Sequence, residues 1–324
     1  MTKVSIIIPV CQVSDYIERC VRSVMKQTYH DIECVLVDDC SPDDSMAKAE
    51  NLMNQYCGAI KFVTVHHDKN RGLSAARNTG FQHSTGDYIY FLDSDDEITP
   101  NCIESLMRVA QEDPSLEMLQ GYSSCPFVDP FSPERERLAK ELLPLSFRSN
   151  AEIRRCYYTK SELIRTSAWD KLVKRTFITE HNLLFRDGVH FEDTLWLFYV
   201  LKYLNGIYLV SDLTHYYHVR PNSLVTGMSE VDKASSSIAI YCDVLTHLSG
   251  RWERKEMAFY ADGFCRRYVE CVRFAPAYQD VFSLYWEKAW HYGCMTVLLK
   301  LVLAKVLGPL KHGPVVLAWI KTRS

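Results

Sequence analysis

The sequence predicts an α/β protein, a doubly wound and mostly parallel sheet followed by a mainly helical C-terminal extension. Three observations carry that expectation. Near-continuous apolar runs alternate with segments of helical periodicity through the first hundred residues. Acids crowd the ends of the second and fourth runs, and the chain after Glu230 reads as mostly helical. Strands buried on both faces appear as unbroken apolar runs, and their alternation with helices marks a parallel sheet.

Taken in order, VSIIIPV is the first strand, and Asp15 to Thr28 follows with Ile17, Cys20, Val21, Val24 and Met25 at helical spacing. IECVLVDD is the second strand and Ser45 to Gln55 the second helix. IKFVTVHH is the third strand, Leu73 to His83 the third helix, and DYIYFLD the fourth strand. Pro100 is placed to open another helix, in a first turn where its missing N–H costs little. From Ser123 to Ser149 the pattern gives way to Pro-rich, charged sequence, which predicts a long loop or flap. SAWDKLVKRTFI, HFEDTLWLFYVLKYL and THYYHVRPNS form a second region before the helical end.

Composition narrows the class. A chain of 324 residues that is 47% hydrophobic and 24% charged suits one large α/β domain with an elaboration, or two domains. A net charge of −3 gives no global electrostatic reason to expect nucleic acid as a partner. The twelve cysteines include no CxxC pair and no Cys/His cluster at zinc spacing. Cys11, Cys20 and Cys34 lie within or beside apolar runs and read as buried reduced thiols, which fits a reducing compartment. MTKVSIIIPV is too short and too polar beyond Val10 for a secretory signal, and no run approaches the roughly 20 apolar residues of a membrane span. The expected location is therefore cytoplasmic.

The acids carry the chemistry. In open α/β sheets ligands bind beyond the carboxyl ends of the strands, and two clusters stand there, Asp38–Asp39 and Asp93–Asp95 with Asp96 and Glu97 behind. Like charges this close need a cationic partner. A D-x-D at a strand end seats Mg²⁺ or Mn²⁺, which takes one or two carboxylates plus phosphate oxygens. The alternative is a solvated turn capping the next helix. An EF-hand is disfavoured, because its sixth position is Ile98 rather than Gly and Pro100 interrupts the loop.

VSIIIPV, VLVDDCSPDDS, NRGLSAARNTG and GDYIYFLDSDD, in this order and spacing, resemble the family 2 glycosyltransferases of the GT-A fold. WDKLVKRTFI, FEDTLWL and YYHVRPNSL resemble the acceptor-side half of that family's bacterial polysaccharide enzymes. The resemblance implies inverting transfer of a sugar from a nucleotide diphosphate donor, a UDP-sugar being favoured, to a glycan or polyprenyl-linked acceptor in cell-surface polysaccharide synthesis. It implies that Asp39 contacts the base and Pro9 the nucleoside, that Arg71 lies near the nucleotide, and that Asp93 faces ribose and metal. Asp95 is then the direct ligand of Mn²⁺ or Mg²⁺, Asp193 the catalytic base, and Arg220 with Ser223 a segment closing over the diphosphate. It also divides the chain into a catalytic domain, residues 1–225, and a helical region, residues 226–324. Members usually carry Tyr-Asn where this chain has Cys11-Gln12, and often Gly where it has Cys40.

Each position also has a structural reading. Asp39 can serve an Asx-turn, Glu192 and Asp193 can cap the helix running to Tyr203, and Arg71 can pair with an acid. Asn78 and the small residues of SAARNTG fit helix–sheet contact. Trp169, Lys171 and Glu192 either line the acceptor cleft or, for Trp169 and Lys171, are a core Trp and a surface Lys. From Lys288 onward the chain has Lys300, Lys305, Lys311, Lys321 and Arg323 but no acid, and its apolar stretches suit either an anionic membrane surface or packing on the protein. A Rossmann dehydrogenase is disfavoured because no glycine follows VSIIIPV. A noncatalytic sugar-nucleotide-binding or scaffold protein of the same fold is the alternative to an enzyme.

Overall fold

The computed structural model describes residues 2–124, 141–159 and 163–220, then 223, 227–248, 255–260, 264, 279–291, 293, 294 and 297–302. The chain divides into two compact units, Met1–Gly188 with Glu192–Pro221, and Val189–Phe191 with Asn222–Ser324.

In the first unit, β1 (Val4–Val10), β2 (Ile32–Asp38), β3 (Lys61–His66) and β4 (Tyr88–Phe91) form a parallel half-sheet in the order β3-β2-β1-β4. All seven residues of β1 are buried. Full burial of a Val or Ile side chain stabilises by about 1.5–3 kcal/mol, so this strand anchors the fold. Its flanking helices are α1 (Ile17–Met25), α2 (Ser45–Asn54), α3 (Leu73–His83) and α4 (Cys102–Glu112). Helix α3 lies close on the sheet because its facing residues are small: a Cβ on Gly80 would stand 2.3 Å from Ile7 Cγ2.

Beyond β4 the direction changes. β8 (Lys171–Lys174) pairs antiparallel with β4 and with β6 (Met118–Ser124), and β6 runs parallel to β9 (Ile207–Tyr216). β5 (Glu97–Ile98) and β7 (Leu145–Phe147) each pair antiparallel with β9. Three further helices are α5 (Asn150–Thr159), α6 (Arg175–Glu180) and α7 (Glu192–Tyr203). The sheet is thus mixed, with its parallel part in β1 to β4, and the registers bring distant motifs together. Val10 stands opposite Asp38, Phe91 bridges to Trp169, and Glu97 faces Tyr216.

Three local expectations are corrected. The fourth strand ends at Phe91, and the acids that follow form a turn closed by Asp96 N–H on the Asp93 carbonyl at 3.1 Å. Helix α4 starts at Cys102, so Pro100 lies in the preceding turn rather than in the helix. The stretch expected as a loop from Ser123 to Ser149 includes β7, while its residues 125–140 lie outside those described.

The second unit contains α8 (Glu230–Thr246) and α9 (Gln279–His291). Ser229 caps α8 by accepting the Asp232 N–H at 3.1 Å. Its own core gathers Leu245, Met257, Phe264, Tyr285 and Leu301, with Phe264 and Tyr285 stacked at 4.0 Å. Among the described residues no helix is long and apolar enough to cross a membrane. Residues 303–324, with Lys305, Lys311, Lys321 and Arg323, lie outside the described residues.

Candidate active site

The site forms where the carboxyl ends of β1, β2 and β4 meet the starts of β8 and α7. At the end of β2, Asp39 is buried and both of its carboxylate oxygens are engaged. Oδ1 accepts the Arg71 N–H at 2.8 Å and lies 2.7 Å from His67 Nδ1, while Oδ2 accepts the Gly72 N–H at 2.7 Å. Asp39 therefore fixes the loop entering α3, and the turn role falls to Asp38, whose Oδ1 accepts the Ser41 N–H at 2.9 Å. Pro9 is buried in β1 opposite Val37. Arg71 is held by its backbone, and its side chain is exposed with no ion pair to a described acid.

The acid turn after β4 turns out to have protein cations of its own. Asp95 Oδ2 accepts Arg220 Nε at 2.6 Å, and the Asp95 carbonyl accepts Arg19 Nη2 at 2.8 Å. Tyr16 lies beneath both guanidinium groups, at 5.9 Å from Arg19 and 5.7 Å from Arg220. The pairing of β5 with β9 accounts for this: it carries the YYHVR segment past the acid turn. Burial and then Asp93 raise the Asp95 carboxyl above its usual range, even with Arg220 opposing them. Behind it, Asp96 is inaccessible to solvent; Oδ2 lies 2.9 Å from His215 Nε2 and Oδ1 accepts the His218 N–H at 2.8 Å. Burial, then Asp95 and Asp93, push Asp96 up to about 9, and burial pushes His215 down to about 4. Both shifts favour the uncharged forms, and the hydrogen-bonded pair supports the turn.

The centre is Arg77, on the buried face of α3 and 1% exposed. Nη2 donates to Asp93 Oδ1 at 2.8 Å, and Nη1 donates to Glu192 Oε1 at 2.6 Å and Asp193 Oδ1 at 2.8 Å. Burial works against its charge, but Asp193, Asp93 and Glu192 more than offset that, so the guanidinium is held firmly protonated. Burial raises the Asp193 carboxyl, with Asp93 adding to it, while Arg77, the Ala168 N–H and Lys171 pull the other way. Burial and Asp193 push Glu192 up to about 7. Both acids lie in the first turn of α7, where the helix dipole favours their ionised forms.

On the far side, Trp169 lies parallel to His215 at 4.6 Å and to Tyr217 at 5.6 Å. Asp170 is buried, with φ of 59°, and accepts Thr214 Oγ1 at 2.6 Å. Lys171 is not a surface lysine: it is fully buried, donates to the Ser167 carbonyl, and is pushed down to about 7 by burial. Ser223 belongs to the second unit. Asn78 is structural, donating from Nδ2 to the Phe185 carbonyl at 2.8 Å and accepting the Phe185 N–H at 2.9 Å.

Asp93, Asp95, Asp193, Glu192 and Arg220 thus come together. The expectations made from sequence had missed Arg77, Arg19 and His215. A signal for Arg77 was present: a lone arginine in the small-residue run SAARNTG must be buried if that helix faces the sheet, and buried arginines are paired.

Asp93 and Asp95 are hard oxygen donors of the kind a divalent cation takes, and burial, then Asp93, raises the Asp95 carboxyl even with Arg220 paired to it. Among the described residues no group of three or more His, Cys, Asp or Glu is placed to cage a metal.

Comparison with known proteins places this geometry. The uncharacterized glycosyltransferase EpsJ of Bacillus subtilis is 30% identical over 228 residues, 68% of this chain and 62% of EpsJ, so the chain spans about three fifths of that relative. Staphylococcus aureus TarS 1–349, in complex with UDP-GlcNAc, superposes with a TM-score of 0.68 at 16% identity, covering 96% of this chain and 93% of that one. The mannosyltransferase PcManGT of Pyrobaculum calidifontis, in complex with GDP-Man and Mn²⁺, gives 0.52 at 14% identity, covering 99% and 79%. Both structures share the GT-A fold. Residues 5–169 match the family model "Glycosyl transferase family 2", and the chain belongs to that family.

Proposed function

We propose that this glycosyltransferase moves a sugar from a nucleoside diphosphate donor, with a UDP-sugar favoured, to a glycan or polyprenyl-linked acceptor, inverting the anomeric carbon. One observation carries the reading: a single buried guanidinium gathers an acid of the donor-side turn, Asp93, and an acid at a helix start, Asp193. Inverting transfer needs a proton acceptor facing the leaving group across the sugar, and a carboxylate raised by burial is suited to it. Asp193 accepts the acceptor hydroxyl's proton in this reading. Asp95 with Asp93 would hold Mn²⁺ or Mg²⁺, which when bound supplies positive charge against the departing diphosphate. Arg220, now on Asp95, is within reach of the same phosphate oxygens and offers a fork of donors.

The UDP-GlcNAc complex of TarS, which shares the fold, supports a UDP-sugar, and the GDP-Man and Mn²⁺ complex of PcManGT supports a divalent cation. Pro9, Asp39 and Arg71 then form the nucleoside side, Arg220 serves the diphosphate, and Trp169, Lys171 and Glu192 support the acceptor side. Residues 1–225 act as the catalytic domain and 226–324 as a helical region. Cell-surface polysaccharide synthesis at the inner face of the cell membrane fits a lipid-linked acceptor. In the second unit Trp290 is 69% exposed and Leu299 60%, with Lys288 and Lys300 near them in the sequence, which supports contact with an anionic membrane surface. Failure of the intact protein to sediment with anionic vesicles at low salt overturns that contact.

The test screens UDP- and GDP-sugars for metal-dependent donor hydrolysis and then compares two variants. Asp193→Asn keeps donor affinity but slows turnover by roughly 10²- to 10⁴-fold, the range for a lost general base. Glu192→Gln costs less. A wild-type rate in Asp193→Asn, with chemistry limiting, rejects the base, and donor binding without turnover by any nucleotide sugar returns the noncatalytic alternative.

A further inference from the structure

We propose that Arg77 is a positioning residue for sugar transfer, whose guanidinium sets the carboxylate that accepts the proton against the acid that faces the donor. The inference rests on the reading of Asp193 as the base. Its support is geometric. The two terminal nitrogens of one planar group reach opposite sides of the site, Nη1 to Asp193 and Glu192 and Nη2 to Asp93, at 2.6–2.8 Å. A planar fork fixes direction as well as distance, which a lysine ammonium cannot do. Without the cation, Asp93, Glu192 and Asp193 repel one another in a medium of low dielectric.

The guanidinium is itself held from below. Its Cζ lies 5.1 Å from the centroid of the Phe185 ring. Phe185 is stacked on Trp196 at 5.3 Å and meets Phe91 edge-on at 5.2 Å. The next residue of α3, Asn78, ties down the Phe185 backbone with both halves of its amide. Adjacent residues of one helix therefore supply the fork and clamp the ring it rests on. Arg77 Nε is buried with no hydrogen-bond partner. Burying such a network is at best neutral for stability compared with apolar packing, and leaving a donor unpaired makes it worse. The arrangement is costly as packing and well suited to placement.

The groups facing Arg77 are Asp93 from the acid turn, Glu192 and Asp193 from α7, with Lys171 and the Ala168 N–H approaching Asp193 from the β8 side. A displacement of about 1 Å at a reacting group costs on the order of 10²-fold in rate. The experiment is a double-mutant cycle of Arg77→Lys and Asp193→Asn, read by UDP affinity with Mn²⁺, by kcat and KM for donor hydrolysis, and by thermal midpoint. Arg77→Lys is expected to bind UDP within about 3-fold of wild type while kcat falls roughly 10- to 10²-fold. In the Asp193→Asn background the same change is expected to cost less than about 3-fold, because residues acting as a unit are not additive. Equal losses in both backgrounds, or an unchanged kcat in Arg77→Lys, overturn the positioning role while leaving the base intact. A wild-type rate in Asp193→Asn alone overturns the base instead. Should Arg77→Lys not fold, Phe185→Leu removes the ring and keeps every ion pair. It is expected to lower kcat roughly 10-fold with KM unchanged, and no change in kcat overturns the proposal.

Discussion

Cys40 and Gln12 adopt φ angles of 54° and 53°, in the left-handed region that favours glycine. They are two of the positions where the chain departs from residues usual in its family, Gly at the first and Asn at the second. For an ordinary side chain this conformation costs roughly 1–2 kcal/mol, and Gly and Asn are the residues that visit it readily. Glycine avoids that cost but loses about 0.4–1 kcal/mol through the greater freedom of its unfolded chain. Because the Cys40 side chain is exposed, little packing is lost with it. Cys40→Gly is therefore expected to raise stability by about 0.5–1 kcal/mol in urea denaturation, and a loss of stability would show that the thiol makes a compensating contact. The sequence named the unusual residues, but a backbone angle is set by the loop's two anchors, here the ends of β1 and β2, which no single residue type announces.

At the level of elements, α3 does two tasks from different sides. Gly80 lets it approach β1, while Arg77 reaches the first turn of α7 and Asn78 the segment before it. Removing the Asn78 amide leaves the Phe185 N–H and carbonyl without these partners in a partly buried place. Unsatisfied groups of this kind cost about 1–3 kcal/mol each, so Asn78→Ala is expected to lose about 2–4 kcal/mol. The check is urea denaturation; a loss under 1 kcal/mol means that water replaces both bonds. The large strands and helices were legible because burial imposes a period on five or more residues. β5 was not, since two residues cannot show a period, and its partner on β9 lies 117 or more positions away in the chain. The acid turn was legible as a charge cluster in need of cations, yet its protein cations were not: Arg77 and Arg220 reach it only through that pairing and through the packing of α3.

Across the first unit, the site straddles the line where the sheet changes from parallel to mixed, between β4 and β8. In the proposed function the donor meets the acids that follow β4, at the end of the parallel half, and the base comes from the chain beyond β8, so donor and acceptor meet at this line. A ligand that binds only the folded state stabilises it by about 2.7 kcal/mol at a hundredfold excess over its Kd. For a unit of this size that is roughly 5–10 °C in thermal midpoint. UDP with Mn²⁺ at such an excess is expected to raise the midpoint by that amount, and UDP with a chelator by much less. Asp95→Ala removes a carboxylate that burial and Asp93 already penalise, although it also strips Arg220 of an ion pair. These effects oppose each other, so the ligand-free midpoint is expected to move by only about 2 °C while the increment from UDP and Mn²⁺ disappears. An undiminished increment in Asp95→Ala means that the cation is held elsewhere, and that the contact of Arg220 with Asp95 is the whole of that residue's role.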